Sequence, residues 1–106
     1  MEAPKDIQSL LLQEQWEASF FEIVEQFSER LYQCAFGILG NHDDANDAVQ
    51  EAFISIWKNL HMFEGKSSIF SWCYAIVRNQ SLSELRKRGN RYMEDVAAHV
   101  DLKDDT

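Results

Sequence analysis

An uninterrupted apolar stripe between residues 43 and 60 constrains the fold of this chain more than any other feature. Its apolar side chains recur at alternating spacings of three and four, which is the pattern of one face of an α-helix. Carboxylates crowd the first turn, where they meet unpaired N–H groups and the positive end of the helix dipole. The stretch therefore predicts a helix with one face in a core and an acidic outer face available to a partner. The stripe consists of Ala45, Ala48, Val49, Ala52, Phe53, Ile56, Trp57 and Leu60.

Helical patterns lie on both sides of this stretch. From Asp6 to Gly40 the sequence predicts helix with a break near residues 15–19, and a glycine commonly follows the last residue of a helix. Residues 61–68 are turn-like, and either serine at their end has a side-chain oxygen able to cap the next helix. That helix is expected from position 69 to about 88, and Gly89 and Asn90 are expected to end it.

The chain as a whole is predicted to be all-α. A single proline, at position 4, and only four glycines leave long segments without a helix breaker. Its 106 residues are enough for one domain with a core that needs no metal or disulfide. We expect a compact antiparallel bundle of three main helices with a short extra N-terminal helix. The expected divisions are a partly helical N-terminal segment at 1–17, the helical domain at 18–91 and an acidic linker or tail at 92–106.

The cysteines and the N-terminus predict a cytoplasmic protein. Cys34 and Cys73 each lie inside an apolar helical pattern without CxxC spacing, as buried thiols of a reducing compartment do. The N-terminus lacks the basic start and apolar core of a secretory signal, and no apolar run has membrane-spanning length. We therefore expect no membrane insertion.

Charge is sorted along the chain, although the net charge of −8 alone would argue against nucleic acid. Residues 1–57 hold two basic and eleven acidic side chains, residues 58–91 hold seven basic and two acidic ones, and residues 92–106 are acidic again. An acidic part and a basic part within one small domain indicate two different partners.

The basic segment favours nucleic acid, and an enzyme is not expected. Residues 58–91 mix cations with aromatic rings, as binding of a single strand requires; the alternative is a solvated basic helix with Phe70 and Trp72 in the core. His42, His61 and His99 have no ordered carboxylate partner in the pattern and are expected at the surface. The chain carries no phosphate-binding, nucleophile or EF-hand motif, so we expect no catalytic residue, no cofactor and no metal.

Four segments resemble, in order and spacing, region 2 of the extracytoplasmic-function (group IV) sigma factors of bacterial RNA polymerase. LYQCAFGILGN at 31–41 is similar to the end of the first conserved helix of that family. The acidic helix at 43–60 is similar to its DAEDxxQExF helix, and FEGKSS at 63–68 to the loop that follows. WCYAIVRNQSLSELRKR at 72–88 is similar to its WLYxIARNxxxDxLR helix. The resemblance covers about residues 18–90.

The resemblance implies two binding surfaces and no reaction. One binds the clamp helices of the polymerase β′ subunit, and the matching positions are Asp44, Asp47, Gln50, Glu51 and Ile54. The other recognises and melts the minus-ten promoter element, with an extruded base held by the loop. The matching positions there are Lys58, Asn59, Lys66, Ser67, Ser68, Trp72, Tyr74, Arg78, Asn79, Arg86 and Arg88.

The resemblance also implies an anti-sigma factor as a further partner. Family members carry a second, helix-turn-helix domain, so we expect this sequence to be the N-terminal domain of a longer factor. The alternative function is a helical interaction module of the same fold that binds only protein, either an anti-sigma factor or polymerase, without DNA.

Overall fold

The computed structural model describes residues 6–99, and it describes the side chains of residues 6–89. In this part of the chain every regular element is helical, and the three long helices pack against one another. The predicted all-α bundle of three main helices with a short N-terminal helix is confirmed. The elements are α1 (Ile7–Leu12), α2 (Trp16–Leu39), α3 (His42–Asn59), a 3₁₀ turn (Leu60–Met62) and α4 (Ile69–His99).

The core lies between the apolar faces of the three long helices, with α1 packed on α2. The stripe on α3 provides the predicted buried face, but Phe53 is only half-buried and Trp57 is 44% exposed. Both rings contact Phe20 of α2 at the edge of the bundle, with centroid separations of 6.1 and 5.4 Å. The buried apolar residues are Ile7, Ile23, Phe27, Leu31, Ala35, Leu39, Ala45, Ala48, Val49, Ala52, Ile56, Leu60, Ile69, Cys73 and Val77.

The corner between α2 and α3 is formed by local sequence. Gly40 ends α2 with φ of +81°, a left-handed conformation that favours glycine, and its N–H donates to the Phe36 carbonyl at 2.8 Å. Asn41 caps α3, because its side-chain oxygen accepts from the Asp44 N–H at 2.9 Å. His42 is exposed as expected, yet its ring lies parallel to that of Tyr32 and hydrogen-bonds the tyrosine hydroxyl.

The break near the N-terminus lies between α1 and α2, at residues 13–15, slightly earlier than predicted. Glu14 occupies this turn with φ of +57°. The predicted domain boundaries after residues 17 and 91 stay predictions. The N-terminal helix α1 packs on α2 as part of the same bundle. The first five residues of the predicted N-terminal segment lie outside the described residues.

The predicted end of α4 at Gly89 and Asn90 is wrong. The helix continues through both residues to His99, into the segment predicted to be an acidic linker or tail. A glycine ends a helix when it adopts a left-handed conformation, whereas a glycine with helical dihedrals costs only about 1 kcal/mol relative to alanine. The remainder of the predicted tail, 100–106, lies outside the described residues.

The two cysteines differ in environment. Cys73 is fully buried in the core, and burial raises the pKa of its thiol to about 12. Cys34 is only half-buried, which corrects the expectation that both thiols are buried. None of the helices in the described part of the chain has the length and apolar character needed to cross a membrane.

Candidate functional site

The outer face of α3 brings together most of the residues expected to bind polymerase. Asp47, Gln50, Glu51 and Ile54 are all exposed, and their spacings of three, four and seven place them on one side of the helix. Ile54, 49% exposed, gives this face an apolar centre among carboxylates and an amide. The arrangement suits a partner that offers positive charge around an apolar contact.

Asp44, the fifth predicted polymerase residue, is held within the domain. Its carboxylate accepts from the Asn41 amide at 2.9 Å and lies 3.4 Å from the Arg88 guanidinium. Arg88 also donates, at 2.9 Å, to the carbonyl of Leu39, which is the last residue of α2. We call this arrangement the Arg88 clamp. It joins α4 to the corner between α2 and α3, and both side chains still have two-fifths of their surface exposed.

The loop at residues 63–68 connects the 3₁₀ turn with α4 and presents three predicted DNA-binding residues at the surface. Gly65 permits its turn with φ of +76°. Ser68 rather than Ser67 caps α4, because its hydroxyl accepts the Ser71 N–H at 3.1 Å; Ser67 donates to the Ser68 carbonyl instead. Lys66 lies 3.8 Å from Glu64 with both side chains mostly exposed, so the ion pair contributes little and leaves the ammonium accessible.

The aromatic residues of this region are divided between the core and the surface. Trp72 is half-buried against the core and contacts Phe63 of the loop at a centroid separation of 5.4 Å. Phe70 is also half-buried. The alternative that Phe70 and Trp72 lie in the core is therefore true of only part of each side chain. Tyr74 is 40% exposed, and its hydrogen bond with the Cys34 thiol raises the pKa of the tyrosine above its ordinary value.

The predicted cations do not converge on one groove among the described side chains. Tyr74 and Arg78, four residues apart, share the side of α4 that faces α2. Asn79 and Arg86, separated by two helical turns, lie on another side. These residues are exposed, as are Lys58 and Asn59 at the end of α3, where the Asn59 amide donates to the Ser55 carbonyl. These predicted DNA-binding residues are therefore distributed over two sides of α4 and the end of α3 rather than gathered on one face.

Two features of the surface were missed by sequence reasoning. Arg30 of α2 stacks over the Phe70 ring at 4.2 Å, although it lies in the acidic part of the sequence. Phe20, Phe53 and Trp57 line an apolar groove of about 380 Å³ that borders the exposed face of α3 at Ile54. The apolar stripe on α3 had placed two of these rings in the core. In the described part of the chain, no group of three or more His, Cys, Asp or Glu side chains could hold a metal ion.

Comparison with known proteins settles the family. Residues 23–91 match the family model for sigma-70 region 2. The chain belongs to the sigma-70 region 2 family. It is 32% identical over 77 residues to the ECF RNA polymerase sigma factor SigW of Bacillus subtilis, covering 73% of this chain and 41% of that protein. It is 31% identical over 83 residues to the ECF RNA polymerase sigma factor SigE of Mycolicibacterium smegmatis, covering 78% of this chain and 32% of that protein.

These matches confirm the resemblance to extracytoplasmic-function sigma factors that the four segments predicted. This sigma region 2 domain spans less than half the length of either relative. No solved structure matches it significantly.

Proposed function

We propose that this sigma region 2 domain docks on RNA polymerase through α3 and recognises and melts the minus-ten promoter element through the loop and α4. The family match over residues 23–91 carries the proposal. The names of the two relatives, both ECF RNA polymerase sigma factors, support it. The domain acts in the cytoplasm, where polymerase acts, and an anti-sigma factor is a further proposed partner. The role is binding rather than catalysis.

The polymerase-binding half of the proposal depends on the exposed face of α3. Asp47 and Glu51 offer negative charge on both sides of an apolar contact at Ile54. Clamp helices with basic side chains complement this pattern, and charge complementarity speeds association and fixes orientation. Asp44 is ion-paired with Arg88, so the negative charge of this face comes from Asp47 and Glu51.

The DNA-binding half depends on cations that no carboxylate neutralises. Lys58, Arg78 and Arg86 have no ion-pair partner among the described side chains, although the chain carries 18 acidic residues. Such side chains attract a phosphate backbone. Extruding a promoter base costs a few kcal/mol of unstacking, which contacts with the extruded base and the phosphates must offset. The loop hydroxyls of Ser67 and Ser68 suit contacts with base edges.

Reversing one charge on α3 tests docking. Asp47→Arg is expected to weaken binding to a β′ clamp-helix fragment by at least about tenfold, because it places like charges together. Glu25→Arg makes the same change at an exposed position of α2 and is expected to leave the affinity unchanged. Equal affinities of the two variants, measured by titration calorimetry, would count against docking through α3.

Binding of a minus-ten oligonucleotide tests the DNA surface. Arg78→Ala is expected to weaken binding of a fluorescent single strand about three- to fivefold and to reduce the salt dependence, since one phosphate contact is lost. The control is Lys87→Ala, because Lys87 already lies 3.8 Å from Glu84. Fluorescence anisotropy at two salt concentrations, repeated with polymerase present, decides the question. Absence of DNA binding in both settings would favour the module that binds only protein.

A further inference from the structure

A cleft of about 460 Å³ lies between the exposed face of α3 and one side of α4. Its first wall is the predicted polymerase-binding face, including the half-exposed Ile54. Its second wall consists of Gln80, Glu84 and Lys87, whose spacings of four and three place them on one side of α4. None of these three residues belongs to the predicted polymerase-binding set. This α3–α4 cleft therefore continues the face onto a second helix.

Glu84 lies in the cleft with only weak partners. Its carboxylate is 3.5 Å from the Gln80 amide and 3.8 Å from the Lys87 ammonium, both longer than an ordinary hydrogen bond of about 2.9 Å. The Glu84 side chain is 30% exposed, whereas that of Lys87 is 65% exposed. Lys87 thus reaches Glu84 from the rim, and an exposed ion pair of this kind contributes little. An incoming cation can replace Lys87 at small cost.

The charges of the α3–α4 cleft favour a cationic occupant. Three carboxylates, those of Asp47, Glu51 and Glu84, line it against the single ammonium of Lys87. Asp47 and Glu51 have no ion-pair partner among the described side chains. Within the described residues these carboxylates do not form a group that could hold a metal ion. The cleft therefore suits an extended cation that reaches both walls.

Arginine has the chemistry that this cleft requires. Its planar guanidinium binds a carboxylate through two parallel N–H···O bonds, which an ammonium cannot do. Its apolar stem can lie along Ile54 while the guanidinium reaches Glu84. The amide oxygens of Gln50 and Gln80, on opposite walls, can accept from its remaining N–H groups. An arginine of a docked helix can therefore take the place that Lys87 occupies.

We propose that the α3–α4 cleft receives an arginine side chain of the polymerase clamp helices, with Glu84 as its carboxylate partner and Lys87 as the internal cation that it displaces. The inference rests on the proposed function, because docking through α3 brings the clamp helices to the mouth of the cleft. Lys87 competes with the partner for Glu84 and so lowers the affinity of docking. Glu84 and Lys87 therefore have opposite effects on the same interaction.

Substitutions of Glu84 and Lys87 in the full chain test the cleft. Affinity for a β′ clamp-helix fragment is measured by titration calorimetry, and affinity for whole polymerase by fluorescence anisotropy of the labelled chain. Glu84→Gln is expected to weaken binding about three- to tenfold, because it removes the charged acceptor. Lys87→Met is expected to strengthen binding about two- to threefold, because it frees Glu84 and removes a like charge.

Matched substitutions on α2 control for net charge. Glu25→Gln and Arg30→Gln each remove one charge at an exposed position outside the cleft, and both are expected to leave the affinity unchanged. Thermal melts followed by circular dichroism correct each affinity for the folded fraction.

A second test replaces the arginines of the fragment by lysine, one at a time. One replacement should weaken binding to the wild-type chain about as much as Glu84→Gln does. It should weaken binding to the Glu84→Gln variant little further, since the same contact is already lost. If every arginine replacement were additive with Glu84→Gln, no arginine of the fragment would be the partner of Glu84.

Unchanged affinities for Glu84→Gln and Lys87→Met, with Asp47→Arg still weakened, would overturn the cleft assignment and leave docking through α3 standing. Weaker binding of Lys87→Met would also overturn it, because Lys87 would then contact the partner directly. Absence of wild-type binding to both the fragment and whole polymerase would overturn the cleft together with the proposed docking.

Discussion

Arg88 connects three helices of this domain through one guanidinium. It donates to the last carbonyl of α2 and pairs with Asp44 in the first turn of α3. Sequence reasoning had assigned Arg88 to the DNA-binding surface and Asp44 to the polymerase-binding surface, which were expected to be separate. The structure brings them into contact, so the two proposed surfaces meet at this residue.

Removing the Arg88 clamp is expected to destabilise the domain. Arg88→Ala leaves the Leu39 carbonyl without its charged donor, and we expect a loss of about 1–2 kcal/mol in the free energy of unfolding. Lys87→Ala, which removes only an exposed ion pair, should change it by less than about 0.5 kcal/mol. Urea denaturation compares the two variants. Equal midpoints would show that the clamp contributes no stability.

Gly37 within α2 and Gly40 just after its end have opposite expected responses to alanine. Gly40→Ala places a side chain at φ of +81°, which costs about 1–2 kcal/mol even though the space around it is open. Gly37→Ala lies inside the helix, with nothing within 4 Å of the added carbon, and should stabilise by about 0.5–1 kcal/mol. Thermal unfolding of both variants measures the difference. Two changes of the same sign would contradict the assigned conformations.

Residue roles were predictable where their cause is local. Gly40 was found because a glycine after a helix takes the left-handed conformation, and this depends on adjacent residues alone. The contact of Arg30 with Phe70 and that of Arg88 with Leu39 could not be found, because each pair is 40 or more positions apart in the sequence. Only packing of the helices brings those groups together.

At the level of elements, the stability of α4 depends on the residue that caps its N-terminus. The hydroxyl of Ser68 accepts the N–H of Ser71, while the hydroxyl of the neighbouring Ser67 donates to the Ser68 carbonyl and accepts no N–H of the helix. Since α4 starts beside the loop proposed to hold a promoter base, this cap also orders the end of that loop.

Ser68→Ala is therefore expected to destabilise the domain by about 1 kcal/mol, the usual contribution of a serine cap. Ser67→Ala should have an effect within about 0.5 kcal/mol, because Ser67 caps no helix. Guanidinium denaturation distinguishes them. If Ser67→Ala were the more damaging variant, the assigned cap would be wrong.

The elements themselves were largely predictable from apolar spacing. The stripe on α3 identified its helix and most of its buried residues, since a buried helix face needs apolar side chains at that period. The end of α4 was not predictable from Gly89, because glycine permits a helix end without requiring one. The exposure of Trp57 was missed for another reason: the stripe shows which face is apolar but not where the neighbouring helix ends.

At the scale of the whole molecule, the alkylation rate of Cys73 measures how often the core opens. Its thiol is fully buried with a pKa of about 12, so thiolate is scarce at neutral pH and reagents reach it only on unfolding. In a Cys34→Ser variant, we expect the rate of alkylation of Cys73 to follow the fraction of unfolded chain as urea is added. Mass spectrometry measures the rate. Fast alkylation without urea would show that the core opens locally at α4.

The same thiol gives a pH dependence with a definite sign. Burial raises the pKa of this thiol to about 12 in the folded chain, from 9.0 for an exposed cysteine, so the folded chain holds the proton more tightly. The unfolded chain ionises first as pH rises, and the free energy of unfolding should fall above about pH 9. Cys73→Ala, compared with wild type over pH 8–10, should lose this part of the dependence. An identical pH dependence in both proteins would contradict the assignment.

The uninterrupted course of α4 has a mechanical consequence. The helix α4 begins beside the loop, is attached to the end of α2 through the Arg88 clamp, and continues to His99. The eleven residues after Arg88 extend the helix by about 16 Å, so a 10° tilt of α4 about the Arg88 clamp would displace its C-terminal end by about 3 Å.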